Sequence, residues 1–246
     1  MEKLNNKLDS KETLELHAHI IDKKVILKKI YEKFYTEFKK TKIPKGKILE
    51  LGSGAGFLKK YIQKIITSDV VAGKGIDKVF FAEKMPFKDN SLAAIFMLNV
   101  LHHIKNPEKG LKEMERCLKV SGKIIMIEPY NSIWSKFIYQ NFHHELFDPK
   151  SDWKVKGQGR LSDANDAIPW IIFVRDRKIF ERKFPKLKIK RVIPHTPFAY
   201  LLFGNLSKPQ FLPSFMYPVI LSIEKIVSPY NKYLGLFVTI ELEKLR

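Results

Sequence analysis

The chain has 246 residues, 45% of them hydrophobic, which is enough for a sizeable core, and it carries a formal net charge of +19. A single cysteine, Cys117, excludes a disulfide framework and a cysteine-built zinc site, and fits a reducing cytoplasm. The opening MEKLNNKLDSKETLEL has no apolar stretch of a secretory signal, and runs such as IIFV and VILSI fall far short of the roughly 20 residues that cross a bilayer.

Excess positive charge attracts polyanions: nucleic acid, anionic lipid headgroups or phosphorylated substrates. Lysines scattered along a lysine-, isoleucine- and asparagine-rich chain are equally explained by genome base composition. Residues 175–191 differ, because nine basic residues there face only Asp176 and Glu181, a candidate contact for an anionic surface.

In chain order, the helical spacing of Ile20, Ile21, Ile26, Leu27, Ile30, Tyr31 and Phe34 predicts a helix over residues 11–42, stopped by Pro44. Residues 47–51 form the first predicted strand. Residues 57–66 begin as a helix and end in a short strand reaching Asp69. A strand follows at 78–81, and 93–100, nearly continuous in apolar residues, reads as a buried parallel strand. Asn106-Pro107 opens a helix with Leu111, Met114, Cys117 and Leu118 as its buried stripe, closed by Ser121-Gly122. Residues 123–129 form the next strand. Beyond Tyr130 the pattern is irregular, with helices near 132–142 and 168–184. A strand at 188–193, a helix at 217–227 and a strand at 235–243 then complete the sheet.

This alternation predicts an α/β fold, a mostly parallel sheet covered by helices on both faces. One domain is expected, made of a helical cap (1–45), a ligand-binding core (46–129), a substrate-side insertion (130–194) and a completing segment (195–246).

In ELGSGAGFL, Gly52, Gly54 and Gly56 follow the first strand directly. Glycine permits positive φ and lets a ligand lie against the main chain. That turn sits at the carboxyl edge of the sheet, where open parallel sheets bind ligands. The helix expected next would add free N–H groups and a positive dipole end. The spacing is G-x-G-x-G, unlike the G-x-G-x-x-G of a dinucleotide turn.

Three segments, ILELGSGAGFL, AEKMPFKDNSLAAIFMLNVLHHI and LKEMERCLKVSGKIIMIEP, stand in order within residues 47–129. They resemble the signature segments of class I S-adenosylmethionine-dependent methyltransferases, especially the type 11 branch typified by ubiquinone/menaquinone and small-molecule methyltransferases. The resemblance implies a Rossmann-like sheet of seven strands with the last antiparallel, and S-adenosylmethionine as cofactor. It also implies that Glu50 and the backbone of Gly52, Ser53 and Gly54 hold the methionine amino and carboxylate groups, with Gly56 completing the turn. Asp69 would accept from the ribose hydroxyls, Ala82 would offer its N–H to adenine, and Leu98 and Asn99 would flank the methionine portion. Two departures stand out. Phe81 occupies the place of the family's adenine-binding acid, with Glu83 nearby as a substitute. Only residues 70–76 separate Asp69 from the next strand, too few for a usual helical crossover.

A sulfonium methyl needs an acceptor aligned in line and shielded from water, plus a base if that acceptor is a hydroxyl or acidic carbon. The candidates are His102 and His103 after the fourth strand, Glu128 after the fifth, then His143, His144 and Glu145. Each has a plain alternative: His102 could cap or pack, and Glu128 could hydrogen-bond neighbouring backbone. HHE suggests a metal, but adjacent histidines lack the i, i+4 spacing of a helical pair, so no metal site is expected. The expected acceptor is a small molecule, lipid or glycoconjugate, recognised by aromatic-rich segments outside the core. HTPFAYLLFGNLSKPQFLPSFMYP, residues 195–218, combines apolar side chains with four prolines. It suggests a lid over a lipid-like acceptor or a surface leaning on an anionic membrane from the cytoplasmic side. An RNA-modifying methyltransferase and an inactive S-adenosylmethionine-binding scaffold are the alternatives. Against the first, LNVL replaces the tetrapeptide of amino-methylating nucleic-acid enzymes at the fourth strand; the changed adenine position leaves the second open.

Overall fold

The structure, a computed structural model, describes residues 11–54, 57–143, 145–155 and 163–246. Its strands are β1 (Lys47–Leu51), β2 (Ile65–Asp69), β3 (Lys78–Val79), β4 (Leu92–Leu98), β5 (Leu118–Pro129), β6 (Leu187–His195) and β7 (Phe237–Lys244). They form one sheet in the order β3-β2-β1-β4-β5-β7-β6. β1 pairs in parallel with β2 and β4, β2 with β3, and β4 with β5. Only β7 runs against its neighbours, β5 and β6. This is the predicted mostly parallel seven-stranded sheet with its antiparallel last strand. Leu92–Met97 of β4 are all buried, as a central parallel strand requires.

The predicted helix 11–42 is two helices, α1 (Lys11–Lys23) and α2 (Val25–Lys40). Lys24 between them is extended, and its Nζ donates to the carbonyls of Asn205 at 2.6 Å and Lys208 at 2.8 Å. The break therefore pins the N-terminal helices to the segment after β6. α2 lays its apolar face on the sheet: Phe38 stacks on Phe96 of β4 with centroids 5.0 Å apart, and Phe34 meets Phe237 of β7 at 5.3 Å. Each such buried large side chain contributes roughly 1.5–3 kcal/mol.

The helix expected after the glycine turn shrinks to one 3-10 turn, Phe57–Lys60. Phe57 and Leu58 are buried, and the Leu58 carbonyl already takes the amides of Tyr61 and Ile62, so the chain turns back into β2 at once. The β2–β3 crossover also lacks a helix. Asp77 replaces it as the tie: its Oδ2 accepts from the Thr67 amide and hydroxyl, both at 3.0 Å, and Lys59 donates to its Oδ1 at 2.7 Å. β3 is correspondingly reduced to an edge fragment of the predicted 78–81 strand.

α3 (Pro107–Cys117) starts where the sequence places it, with Asn106 Oδ1 accepting from the Lys109 amide at 3.0 Å. It runs straight into β5, so Ser121 and Gly122 lie inside an irregular strand start rather than at a helix end. α4 (Ile133–Phe142) carries a capping box between Ser132 and Ser135. The predicted helix 168–184 is a helical turn Ile168–Trp170, a π turn Ile171–Arg175 and α5 (Arg177–Lys183), separated at Asp176. α6 (Ala199–Leu202) and α7 (Tyr217–Ile226) precede β7.

Much of the charge in residues 175–191 is spent inside the protein. Arg175 pairs with Asp176, Arg177 with Glu181, Lys183 with Glu108, Lys190 with Glu243 and Arg191 with Glu241, five of the nine basic residues. Lys178, Arg182, Lys186 and Lys188 are exposed.

Candidate functional site

The carboxyl ends of β1, β2 and β4 open onto one cavity of about 1420 Å³. Glu50, Gly52, Ser53, Gly54, Asp69, Ala82, Leu98 and Asn99 line one side of it. His102, His103, His143, Glu145 and Asp166 line the same cavity. Ile20 and Ile21 of α1, with Phe198, Leu202 and Phe211, complete an apolar wall. Gly56 and His144 lie outside the described residues.

Gly52 and Gly54 both have positive φ, +67° and +52°. A Cβ on Gly52 would stand 2.5 Å from Val100 Cγ2, so that glycine serves close packing. Among the described residues, a Cβ on Gly54, which lines the cavity, would meet nothing within 4 Å. Space over Gly54 is thus left for a ligand. The amides behave otherwise than expected. Ser53 N–H donates to the Ser68 carbonyl at 2.7 Å and Gly54 N–H to Asp69 Oδ2 at 2.9 Å. With the Ser53 and Gly54 amides engaged and only a 3-10 turn following, these two residues offer a ligand close approach rather than free N–H groups.

Glu50 is buried and its Oε2 has no donor. Burial pushes its carboxyl up to about 8; the Ser53 hydrogen bond opposes this and the Asp69 charge adds to it. Asp69 ends β2 with Oδ1 accepting from the Val70 amide at 2.7 Å. Ala82 is buried at the cavity wall, Phe81 is 65% exposed, and Glu83 is engaged by the Asn106 amide at 3.2 Å. Asn99 sits at φ +55° with its Oδ1 buried and lacking a donor.

Glu128 of β5 is fully buried and does not line the cavity. Its Oε1 accepts from the amides of Val100 at 2.9 Å and Leu101 at 2.8 Å, and its Oε2 is 2.6 Å from His102 Nδ1. Glu128 is therefore a positioning residue: it shapes the chain after β4 and fixes His102. Burial opposes charge on His102, but the Glu128 hydrogen bond and charge, then Asp166 and Glu145, outweigh it and raise the imidazole to about 9. His102 Nε2 faces Asp166 Oδ1 at 3.5 Å and Glu145 Oε2 at 3.6 Å. His143 Nδ1 is 3.4 Å from Asp166 Oδ2 and accepts from the Glu145 amide at 3.3 Å. Sequence reasoning missed Asp166, the centre of this cluster; its only signal is an acid directly ahead of an apolar helical run. Burial holds the Asp166 carboxyl well above the usual range. Burial likewise works against charge on Glu145, yet the charges of His102, His103 and His143 bring it below its ordinary value.

Residues 49–126 match the methyltransferase domain family model Methyltransf_11. The uncharacterized methyltransferase YcgJ of Bacillus subtilis is 25% identical over 179 residues, covering 61% of this chain and 70% of the relative. The uncharacterized protein MJ1123 of Methanocaldococcus jannaschii is 37% identical over 118 residues, 45% of this chain and 58% of that protein. The ubiquinone/menaquinone biosynthesis C-methyltransferase UbiE of Stenotrophomonas maltophilia is 27% identical over 145 residues, 49% and 56% of the two chains. This chain thus spans less than two thirds of the latter two.

Among solved structures, geranyl diphosphate C-methyltransferase from Streptomyces coelicolor superposes with a TM-score of 0.52 at 14% identity, covering 93% of this chain and 84% of that one. A geranyl diphosphate methyltransferase bound to S-adenosylmethionine gives 0.53 at 15%, covering 93% and 90%. At these identities they establish the fold. The matched segment holds the end of β1, the cavity edge after β2 and β4, and α3, all in the order this fold requires. Residues 49–126 thus match a methyltransferase domain, and they sit in a fold shared with S-adenosylmethionine-dependent methyltransferases, whose cofactor is S-adenosylmethionine.

Proposed function

We propose that the protein transfers the methyl group of S-adenosylmethionine to an apolar, lipid-like small molecule bound in the same cavity. One observation carries this reading: a single space of about 1420 Å³ runs from Glu50 and Asp69 to His143 and Asp166 beneath an apolar wall. Ordinary ligand pockets measure roughly 300–1,000 Å³, so there is room for cofactor and acceptor together. In this reading Glu50 receives the cofactor's ammonium, the open face of Gly52–Gly54 takes its carboxylate end, and Asp69 meets the ribose. Ala82 and Phe81 border the adenine, while Leu98 and Asn99 border the methionine portion. The histidine–carboxylate cluster contacts the acceptor's reacting group and takes up any proton it loses. The reaction itself rests on in-line alignment of the acceptor with the sulfonium methyl in that cavity. Residues 1–45 and 130–246 act as cap and acceptor wall of one catalytic domain.

Exposed Phe211, Phe215, Ile223 and Ile226, with Lys208 and Lys225 beside them in sequence, offer an edge through which a lipid-like acceptor could enter from an anionic membrane. Among the described residues no helix is long and apolar enough to cross one. The test is incubation with S-adenosylmethionine carrying a labelled methyl group, against total lipid extract and against total RNA. Label in a lipid fraction supports the reading, and label in RNA alone contradicts it. Co-sedimentation with anionic liposomes at low salt tests the membrane edge; a protein left wholly in the supernatant removes it.

A further inference from the structure

We propose that His102, His143, Glu145 and Asp166 form a binding site for one divalent transition-metal ion at the polar end of the cavity. Asp166 is 1% exposed, and among the described residues neither of its carboxylate oxygens has a donor in good hydrogen-bond geometry; Glu145 is near enough to share a proton with it. A second acid, Glu145, stands beside it, an arrangement that calls for a cation. Ligand atoms of His143, Glu145 and Asp166 all lie within 4.8 Å of one another.

The spacing is more telling than the composition. His102 Nε2 to Asp166 and to Glu145, and His143 Nδ1 to Asp166, measure 3.5, 3.6 and 3.4 Å. A charge-assisted hydrogen bond is shorter, about 2.7–2.9 Å. Two ligands bound tetrahedrally at about 2.0–2.2 Å from one ion lie about 3.3–3.6 Å apart. Glu128 supplies the outer support that metal-binding histidines usually have: its hold on Nδ1 at 2.6 Å turns His102 Nε2 toward the two acids. An ion would have to displace the Glu145 amide from His143 Nδ1, at 3.3 Å, and the protons that His102 and the Glu145–Asp166 pair hold.

Two imidazoles and two carboxylates suit zinc, manganese, iron or cobalt better than magnesium or calcium. No helical i, i+4 pair is involved. Here the ligands come instead from three segments: the turn after β4, the loop after α4, and the residues ahead of Ile168. All four line the cavity, so a further coordination position would face the acceptor. An ion there would polarise an acceptor oxygen, with the histidines as its ligands rather than as bases. That role rests on the proposed function; the binding itself does not.

The test uses the tag-free, metal-stripped full chain. Co²⁺ is titrated in and followed by its visible absorption, with Zn²⁺ as competitor, in the absence of cofactor and acceptor. One saturable Co²⁺ equivalent, displaced by Zn²⁺, is expected. Asp166→Asn and Glu145→Gln should each weaken it at least about tenfold, and Glu128→Gln roughly 10–100-fold, while S-adenosylhomocysteine still binds. If Asp166→Asn loses S-adenosylhomocysteine binding through misfolding, the partly exposed Glu145→Gln decides. No saturable binding by the wild-type chain, or undiminished binding in folded Glu145→Gln, overturns the site. Either outcome leaves methyl transfer to a lipid-like acceptor to be judged by its own assay.

Discussion

The Asp69 carboxylate accepts the Gly54 amide at 2.9 Å, so the end of β2 holds the glycine turn that follows β1. One side chain thereby both shapes the turn and stands at the ribose end of the proposed cofactor position. Losing a buried acceptor with charged character costs about 1–3 kcal/mol. Asp69→Ala should lower Tm and weaken S-adenosylhomocysteine at least about tenfold by calorimetry. Unchanged affinity in a destabilised Asp69→Ala protein would show that Asp69 holds the turn and nothing else.

Gly54 and Gly52 should separate binding from folding. A Cβ at Gly54 meets no atom of the described residues within 4 Å, so Gly54→Val should remain folded, with αL strain of roughly 1–2 kcal/mol, and lose S-adenosylhomocysteine. At Gly52 the added Cβ stands 2.5 Å from Val100, so Gly52→Ala should chiefly depress Tm. Thermal melts beside calorimetry on both variants check the pair.

Glu50 predicts a pH dependence. Its folded-state value of about 8 lies above its ordinary 4.5, so the folded state binds more protons between the two. The contribution of the neutral carboxyl to stability is complete below about 4.5 and is lost as pH rises through about 8. Tm should therefore fall across that window less steeply in Glu50→Gln. A bound ammonium favours the ionised carboxylate, so S-adenosylhomocysteine binding at neutral pH should release a proton. Calorimetry in buffers of different ionisation enthalpy reads that proton, and Glu50→Gln should abolish it.

Lys24 tests the acceptor wall. Its Nζ ties the α1–α2 break to the carbonyls of Asn205 and Lys208 at 2.6 and 2.8 Å. Hydrogen bonds to a charged group contribute about 1.5–3 kcal/mol. Lys24→Ala should loosen this wall and raise KM for the acceptor several-fold while S-adenosylhomocysteine binds as before. A parallel loss of cofactor affinity would mean the wall belongs to the cofactor instead.

The parts of this fold legible in sequence are those set by local signals. Asn106-Pro107 fixed the start of α3, apolar continuity identified β4, and ELGSGAG located the turn at the cavity edge. What escaped was set by distant partners. Lys24 reads as mid-helix until Asn205 and Lys208 are seen to capture its side chain. The helix expected after Gly56 yields to the short return into β2. The crossover after Asp69 closes without a helix because Asp77 reaches back to Thr67. Glu128 and His102 were recognisable as polar residues near strand ends, but their 2.6 Å pairing was not. Asp166 shows in sequence only as an acid ahead of an apolar run, and nothing local to it indicates that His102 and His143 converge there.

A crystal structure with S-adenosylhomocysteine bound is the most direct measurement. The amino-acid tail should lie over Gly52–Gly54 with its ammonium at Glu50 Oε2, and the ribose at Asp69. The sulfur should point into the cavity toward His102 and His143, leaving the apolar wall free for an acceptor. A ligand lodged away from this turn, or one whose sulfur faces solvent with the cavity closed off behind it, would contradict that arrangement.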